Sequence, residues 1–324
     1  LKSDKYISED DFKNEFKTFP EFGDILLTRI GDVGSANIIL DNIKRAYYVS
    51  LALLKPKGVN SLFLLALLSS DSVQSEIWKR TLHIAFPKKI NKNEISKVIV
   101  SKPSILEQKK IGELIYALDQ IITLHQRKLD KLQATKKALL HEMFPEEGQD
   151  KPKRRFKGFT DAWEQRKLKS IANMIVAGGD IDKNKVKESG TYPVIANALT
   201  KDGIVGYYDD SYRIEAPAVT VTGRGDIGVA KARHQNFTPV VRLLSLTTAH
   251  DVDFIEHAIN NLKIVSESTG VPQLTVPQLS NYKIPITSII EERKIGLFIS
   301  KLDNLITLHQ RKLDKLKNLK QAYL

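Results

Sequence analysis

The chain has 324 residues, with 50 lysines and arginines against 38 acids, a formal charge of +12 and no cysteine. That length supports two cored domains plus extended helices without help from disulfides or metal, and the missing cysteines remove thiolate zinc sites, disulfides and cysteine nucleophiles while agreeing with a reducing cytoplasm. The longest apolar run, LFLLALL at 62–68, is far short of the roughly 20 residues needed to span a bilayer, so no membrane anchor is expected, and the basic balance favours a polyanionic partner.

In chain order, DILLTRI at 24–30 reads as a strand, followed by a glycine turn, a second strand-like run AYYVSLALL at 46–54 and a helical stretch from Ser61. A long helix follows. Ser104 and Glu107 fit a capping box, in which serine and glutamate side chains reciprocally satisfy free backbone N–H groups. At 1.5 Å per residue a helix from Ile105 to Phe144 extends roughly 60 Å. Pro145, Gly148 and Pro152 end it, and the charged EEGQDKPKRR reads as a linker.

Residues 156–287 read as one mixed domain. YPVIAN at 192–197, APAVTVT at 216–222 and PVVRLLSL at 239–246 are strand-like runs separated by glycine-bearing turns. A helical pattern then places Phe254, Ile255, Ala258, Ile259 and Leu262 on one face. Ser288 and Glu291 open a second capping box and a second long helix, which stops mid-pattern at Leu324; with Leu rather than Met at position 1, the sequence is expected to be trimmed at both ends.

Thirty residues of the two helices match: 111–140 and 295–324 share an uninterrupted ITLHQRKLDKL. Matching long helices after two globular segments describe tandem halves. In each copy apolar residues alternate three and four apart: Ile111, Ile115, Leu118, Ile122, Leu129, Leu132 and Leu139, then Ile295, Ile299, Leu302, Ile306, Leu313, Leu316 and Tyr323. A seam sustained for about four heptads is coiled-coil patterning, and each copy is the natural mate of the other. The expected architecture is therefore α+β: two mixed domains joined by two long helices in an antiparallel coiled coil, pseudo-two-fold symmetric. His125 and His309 occupy equivalent seam positions near the expected crossing point. They read first as polar residues that fix register, with a pH-sensitive contact as the alternative. Gly112 and Gly296 sit inside the helices at matching places, where glycine costs roughly 1 kcal/mol relative to alanine; close backbone approach is the expected reason, with a kink as the alternative.

The turns of the halves also correspond, TRIGDVG at 28–34 with TGRGDIG at 222–228. The first turn begins about 30 residues from the chain start and the second about 70 after Phe156, so roughly 40 residues of an intact first domain are expected to be absent. The expected organisation is a first domain at 1–103, a helix at 104–144, a linker at 145–155, a second domain at 156–287 and a second helix at 288–324.

No catalytic constellation emerges. Gly223-Arg-Gly225-Asp-Ile-Gly228 matches GxGxxG, but the VAKARHQNF that follows reads as a strand, where a dinucleotide site needs a helix N-terminus. There is no Walker A sequence, no NPPY or DPPY, and His141-Glu142 lacks a second zinc histidine. What remains is polar and basic equipment, mainly on turns. Arg29 and Arg224 lie in the matching turns, and Lys231, Arg233 and Gln235 alternate along the strand after the second. With Lys44, Arg45, Asn197, Lys201 and Gln273 they form the candidate DNA-contacting set. Arginine and glutamine forks match guanine and adenine edges, and lysines more often hold phosphate.

The repeated Ile-Gly…ITLHQRKLDKL helix, FKGFTDAWEQRKL at 156–168, TYPVIAN with DGIVGYYDD, and STGVPQLTVPQL at 268–279 together resemble the specificity subunit of type I restriction-modification enzymes. The resemblance implies that each globular half is a target recognition domain reading one part of a bipartite, asymmetric DNA site, and that the helices are conserved spacers. It implies methylation subunits, two of them, that dock on the framework and use S-adenosylmethionine, and restriction subunits that use ATP and Mg2+. The chain itself would be a noncatalytic, cytoplasmic protein that binds no cofactor, and DNA-mimicking anti-restriction proteins are a further class of partner. The first domain departs from the pattern, because FKGFTDAWEQRKL has no counterpart there. The competing reading is a coiled-coil protein-interaction scaffold without DNA specificity; a standalone nuclease is a third.

Overall fold

The structure, a computed structural model, describes residues 6–264 and 272–324. In chain order the elements are α1 (Glu9–Glu15), β1 (Ile25–Thr28), β2 (Ala36–Ile38), β3 (Leu51–Leu54), α2 (Ser61–Leu68), α3 (Asp71–Lys79), α4 (Lys92–Ile95) and α5 (Ile105–Met143). They continue with β4 (Glu164–Lys167), α6 (Leu168–Ile171), β5 (Ala172–Ala177), β6 (Tyr192–Ile195), β7 (Ile204–Tyr208), β8 (Ala218–Val221), β9 (Ala230–Arg233), β10 (Thr238–Pro239), β11 (Leu244–Thr248), α7 (Val252–Asn260), α8 (Val276–Asn281), β12 (Lys283–Ile286) and α9 (Ile289–Tyr323). Two compact units result: Leu1–Leu129 with His309–Leu324, and Asp130–Leu308. Each contains a globular part and stretches of both long helices, and the fold is mixed α+β.

In the first unit the sheet order is β2-β1-β3, antiparallel throughout, with Ile25 opposite Ile38 and Leu54. Ile25, Ile38, Leu68, Val73, Ile77 and Ile90 form its core. The second unit builds the same three-strand pattern as β9-β8-β11 and extends it with β5. Here α6 and β5 adjoin, and buried Leu168 and Ile171 share the core with Leu244, Leu246, Phe254 and Ile255. Among the described residues no strand pairs the outer edge of β3. A cavity of about 400 Å3 lies in this part of the first unit, lined by Leu53, Leu64, Leu68, Ile77, Ile95 and Val98 among others. Among the described residues the first sheet therefore has no counterpart of β5, nor its core a counterpart of the Leu168 and Ile171 layer.

The run at 239–246 is two strands rather than one. Arg242 takes a left-handed φ of 71° between β10 and β11, a bend that hydropathy alone does not signal. Of the runs at 24–30 and 46–54, the central Ile25–Thr28 of the first and the last four residues of the second form strands, as β1 and β3. The charged segment at 146–155 has no regular element, yet it is tied down: Lys153 pairs with Glu146, Arg154 with Glu142, and the Trp163 amide donates to the Asp150 carbonyl at 2.7 Å.

Each long helix holds its own half in the same way. The buried Gln108 side chain accepts from the amide of Asn60, which caps α2, at 2.9 Å; the buried Glu292 carboxylate accepts from the amide of Asp251, which caps α7, at 3.4 Å. The glycines sit one turn further on. A Cβ at Gly112 would lie 2.5 Å from the Phe63 amide nitrogen, and one at Gly296 would lie 2.2 Å from the Asp251 carboxylate and 3.0 Å from the Phe254 nitrogen. Close approach of a capped helix end explains both. The capping boxes form only by half. The Glu107 and Glu291 amides each donate to the preceding serine hydroxyl at 3.4 Å. The Glu291 carboxylate instead receives Arg155 at 2.7 and 2.8 Å and the Thr287 hydroxyl at 2.6 Å, because a buried carboxylate gains more from a fixed guanidinium fork than from one amide.

Candidate nucleic-acid interface

Both units contain one turn-and-loop frame. In the first, the Gly34 amide donates to the Thr28 carbonyl at 2.9 Å and the Ile90 amide donates to the Arg29 carbonyl at 2.9 Å. In the second, the Gly228 amide donates to the Thr222 carbonyl at 2.8 Å and the Leu274 amide donates to the Gly223 carbonyl at 2.9 Å. The next residues bridge as well, Ile30 to Lys89 and Arg224 to Gln273. Gly34 and Gly228 have φ values of 100° and 83°, a conformation glycine adopts at no steric cost. The frame is common and its side chains differ, as befits a scaffold that offers two different surfaces. The opening of the 268–279 motif lies outside the described residues.

The sequence-predicted DNA-contacting residues fall into two groups. Lys44, Lys201, Arg224 and Lys231 are exposed, and among the described residues their side chains make no hydrogen bond or ion pair. The others have internal partners. The Arg29 guanidinium donates to the Val49 carbonyl at 2.7 Å and the Ile90 carbonyl at 3.3 Å, fastening the frame from inside. Arg45 grips Asp41 with two 2.5 Å bonds, and this pairing, with the Ile43 amide, holds the Asp41 carboxyl down at about 2. Asn197 accepts from the Gly223 amide at 2.8 Å and donates to the Val241 carbonyl at 3.1 Å. Arg233 donates to the Thr220 hydroxyl at 3.0 Å, and burial pushes its pKa down. The Gln235 amide donates to the Thr191 carbonyl, and half-buried Gln273 faces Arg224 across its bridge.

Sequence reasoning passed over the exposed cations Lys88, Lys89 and Lys92, which flank the first frame. The doubled lysine at 88–89 was the available signal. It also passed over the ion pairs that lock the long helices. In the first unit Lys320 meets Asp119 at 2.6 Å, and in the second Lys136 meets Asp303 at 2.5 Å. The aspartates occupy one repeat position and the lysines another, so this is a single pair made twice with the copies exchanged, as antiparallel equivalent helices require. Within the first unit Ile115 and Leu118 are buried together with Ala66, and Ile111 and Leu316 pack on them. Leu129 and Leu313 are also buried, and Ile122, His125 and His309 are half-buried. Within the second unit Ile299 is buried in the core beside Ile295, while Leu132, Leu302 and Ile306 are half-buried.

A sequence profile of the type I restriction modification DNA specificity domain matches residues 4–134 and again 160–318. The chain belongs to this family. A putative type I specificity subunit of Mycoplasma pneumoniae is 24% identical to it over 222 residues, covering 66% of this chain and 58% of the relative. A second one from the same organism is 27% identical over 146 residues, covering 44% and 43%. The matched stretches thus span little more than half of the first relative and less than half of the second. Its fold is similar to the crystal structure of the S subunit of a type I restriction-modification system from M. genitalium, with a TM-score of 0.70 at 16% identity, covering 94% of this chain and 83% of that one. The chain thus carries the family's DNA specificity domain twice in tandem, each match including most of one long helix. Among the described residues no helix is long and apolar enough to cross a membrane.

Proposed function

We propose that the chain is the sequence-reading subunit of a type I restriction-modification complex: each globular half binds one part of a bipartite, asymmetric DNA site, and the paired helices set the gap between the parts. The observation that carries this reading is the frame built twice with different exposed cations, Lys88 and Lys89 on one and Arg224 and Lys231 on the other. A common backbone with unlike polar surfaces is what two unlike half-sites need.

The long helices supply docking surfaces. Ile105, Leu106, Ile121 and Leu124 are exposed in the first unit, and their repeat equivalents Ile289, Ile290, Leu305 and Leu308 are exposed in the second. Equivalent apolar stripes, one per unit, suit two methylation subunits bound alike. Catalysis belongs to the partners in this reading: S-adenosylmethionine to the methylation subunits, ATP and Mg2+ to the restriction subunits, with the whole assembly in the cytoplasm. The basic surface is also where a DNA-mimicking inhibitor would compete.

Methylome sequencing of cells carrying this chain with its cognate methylation subunit tests the proposal. A methyladenine motif in two unlike parts separated by a fixed unspecified gap is the expected result. A continuous motif, or methylation indifferent to this chain, contradicts it, and the scaffold reading would then hold.

A further inference from the structure

A hairpin-like tip rises from the first frame. The Leu82 amide donates to the Lys89 carbonyl at 2.7 Å, the Gly31 amide to the Lys88 carbonyl at 2.9 Å, and the Arg29 guanidinium closes on the Ile90 carbonyl. Its base is therefore fixed to β1 and the glycine turn. At its end Ile84 and Phe86 are fully exposed, at 100% and 104% of their reference areas. Single exposed apolar side chains are ordinary. Two of them two residues apart on an anchored tip form an apolar point facing water.

The surroundings decide what the point fits. Residues 76–97 hold six lysines and arginines against two glutamates, and both glutamates are engaged, Glu76 with Lys79 and Arg80 and Glu94 with Lys97 and Arg80. Lys88, Lys89 and Lys92 have no carboxylate partner among the described residues. Lys88 lies 4.5 Å over the Trp78 ring, and Trp78 contacts His83 with ring centroids 4.2 Å apart, so the cationic flank is held beside the tip. An apolar point ringed by unpaired cations complements a polyanion with an apolar interior that can open, which describes stacked bases between phosphate rows.

We infer that Phe86 and Ile84 form a wedge that enters the base stack of duplex DNA while Lys88, Lys89 and Lys92 hold the adjacent phosphates. This rests on the DNA-reading function proposed above and adds a mechanism to it: the first domain selects its half-site partly by how readily one base step unstacks, a property that residues without hydrogen-bonding groups can read.

The test uses the full chain assembled with its methylation subunits and duplexes carrying the methylome-defined site, with 2-aminopurine placed in turn at each step of the half-site read by the first domain. The wedge predicts a fluorescence rise at one step on binding. Phe86→Ala should abolish the rise and weaken specific binding by about tenfold, while the salt slope of binding stays that of the unaltered chain because no charge is lost. Phe86→Leu should keep part of the rise. Both side chains are exposed, and unchanged thermal unfolding of the variants confirms that folding is intact. Salt-dependent binding with no rise at any step overturns the wedge and leaves DNA reading standing. Loss of methylation-subunit assembly in Phe86→Ala with the rise unchanged makes the tip a protein contact and also overturns it. Absence of site binding by the unaltered complex removes both proposals.

Discussion

The Nδ1 atoms of His125 and His309 lie 3.2 Å apart, each histidine at the same position of the repeated helix. A bond between like nitrogens needs one ring to donate and the other to accept, so at least one ring is neutral. Partial desolvation, then Lys128, His125 and Lys312, lower the His309 pKa from its ordinary 6.5. The unfolded chain therefore binds a proton more readily than the folded one below that value. The contribution of His309 is fully present above about pH 6.5 and is lost as pH falls through it towards the folded pKa. The carboxylates Asp251, Glu256 and Glu292, whose pKa values burial raises, contribute an opposite slope equally in the unaltered chain and in His309→Gln. We expect acidification from pH 7.5 to about 5.5 to cost the unaltered chain more of its thermal midpoint than it costs His309→Gln. His257, buried near Asp303 and held at about 4, contributes a slope of the same sign in both proteins. Equal slopes in the two proteins would count against the assignment.

Gly112→Ala and Gly296→Ala separate helix propensity from packing. Propensity alone predicts a gain of roughly 1 kcal/mol for each. Backbone nitrogens of Phe63 and Phe254 stand in the way of the added methyl, and overpacking of this kind costs about 1–3 kcal/mol. The expected outcome is net destabilisation by urea unfolding for both variants; a gain in either would mean that the capped helix end yields at little cost.

Leu124→Glu and Leu308→Glu place a charge in the exposed stripe of one unit each. Native mass spectrometry should find each single variant with one methylation subunit and the double variant with none. Retention of two by the double variant would move the docking site elsewhere.

Much of the fold was legible in the residues. The repeated helix, its glycines and the matching turns all have local causes, namely periodicity, close approach and left-handed backbone. What the residues did not disclose depended on partners distant in sequence. Arg29 and Arg233 read as free forks, yet each is satisfied by groups that only the folded chain brings near, Val49 and Ile90 for the first and Thr220 for the second, whereas the partner of Arg45, Asp41, stands four residues before it. Glu291 matched a capping motif, but Arg155, 136 residues earlier, claims it. The same blindness hid Lys88 and Lys89, whose exposure follows from a tip anchored at Gly31 and Arg29.

The central claim is that the long helices act as a ruler between two readers. Inserting one heptad at equivalent places in α5 and α9 lengthens each helix by about 10 Å, close to three base pairs of duplex DNA. Methylome sequencing of cells carrying that variant should return both half-sequences unchanged with the unspecified gap lengthened by about three. Recovery of the original gap, or a change in either half-sequence, would contradict the account.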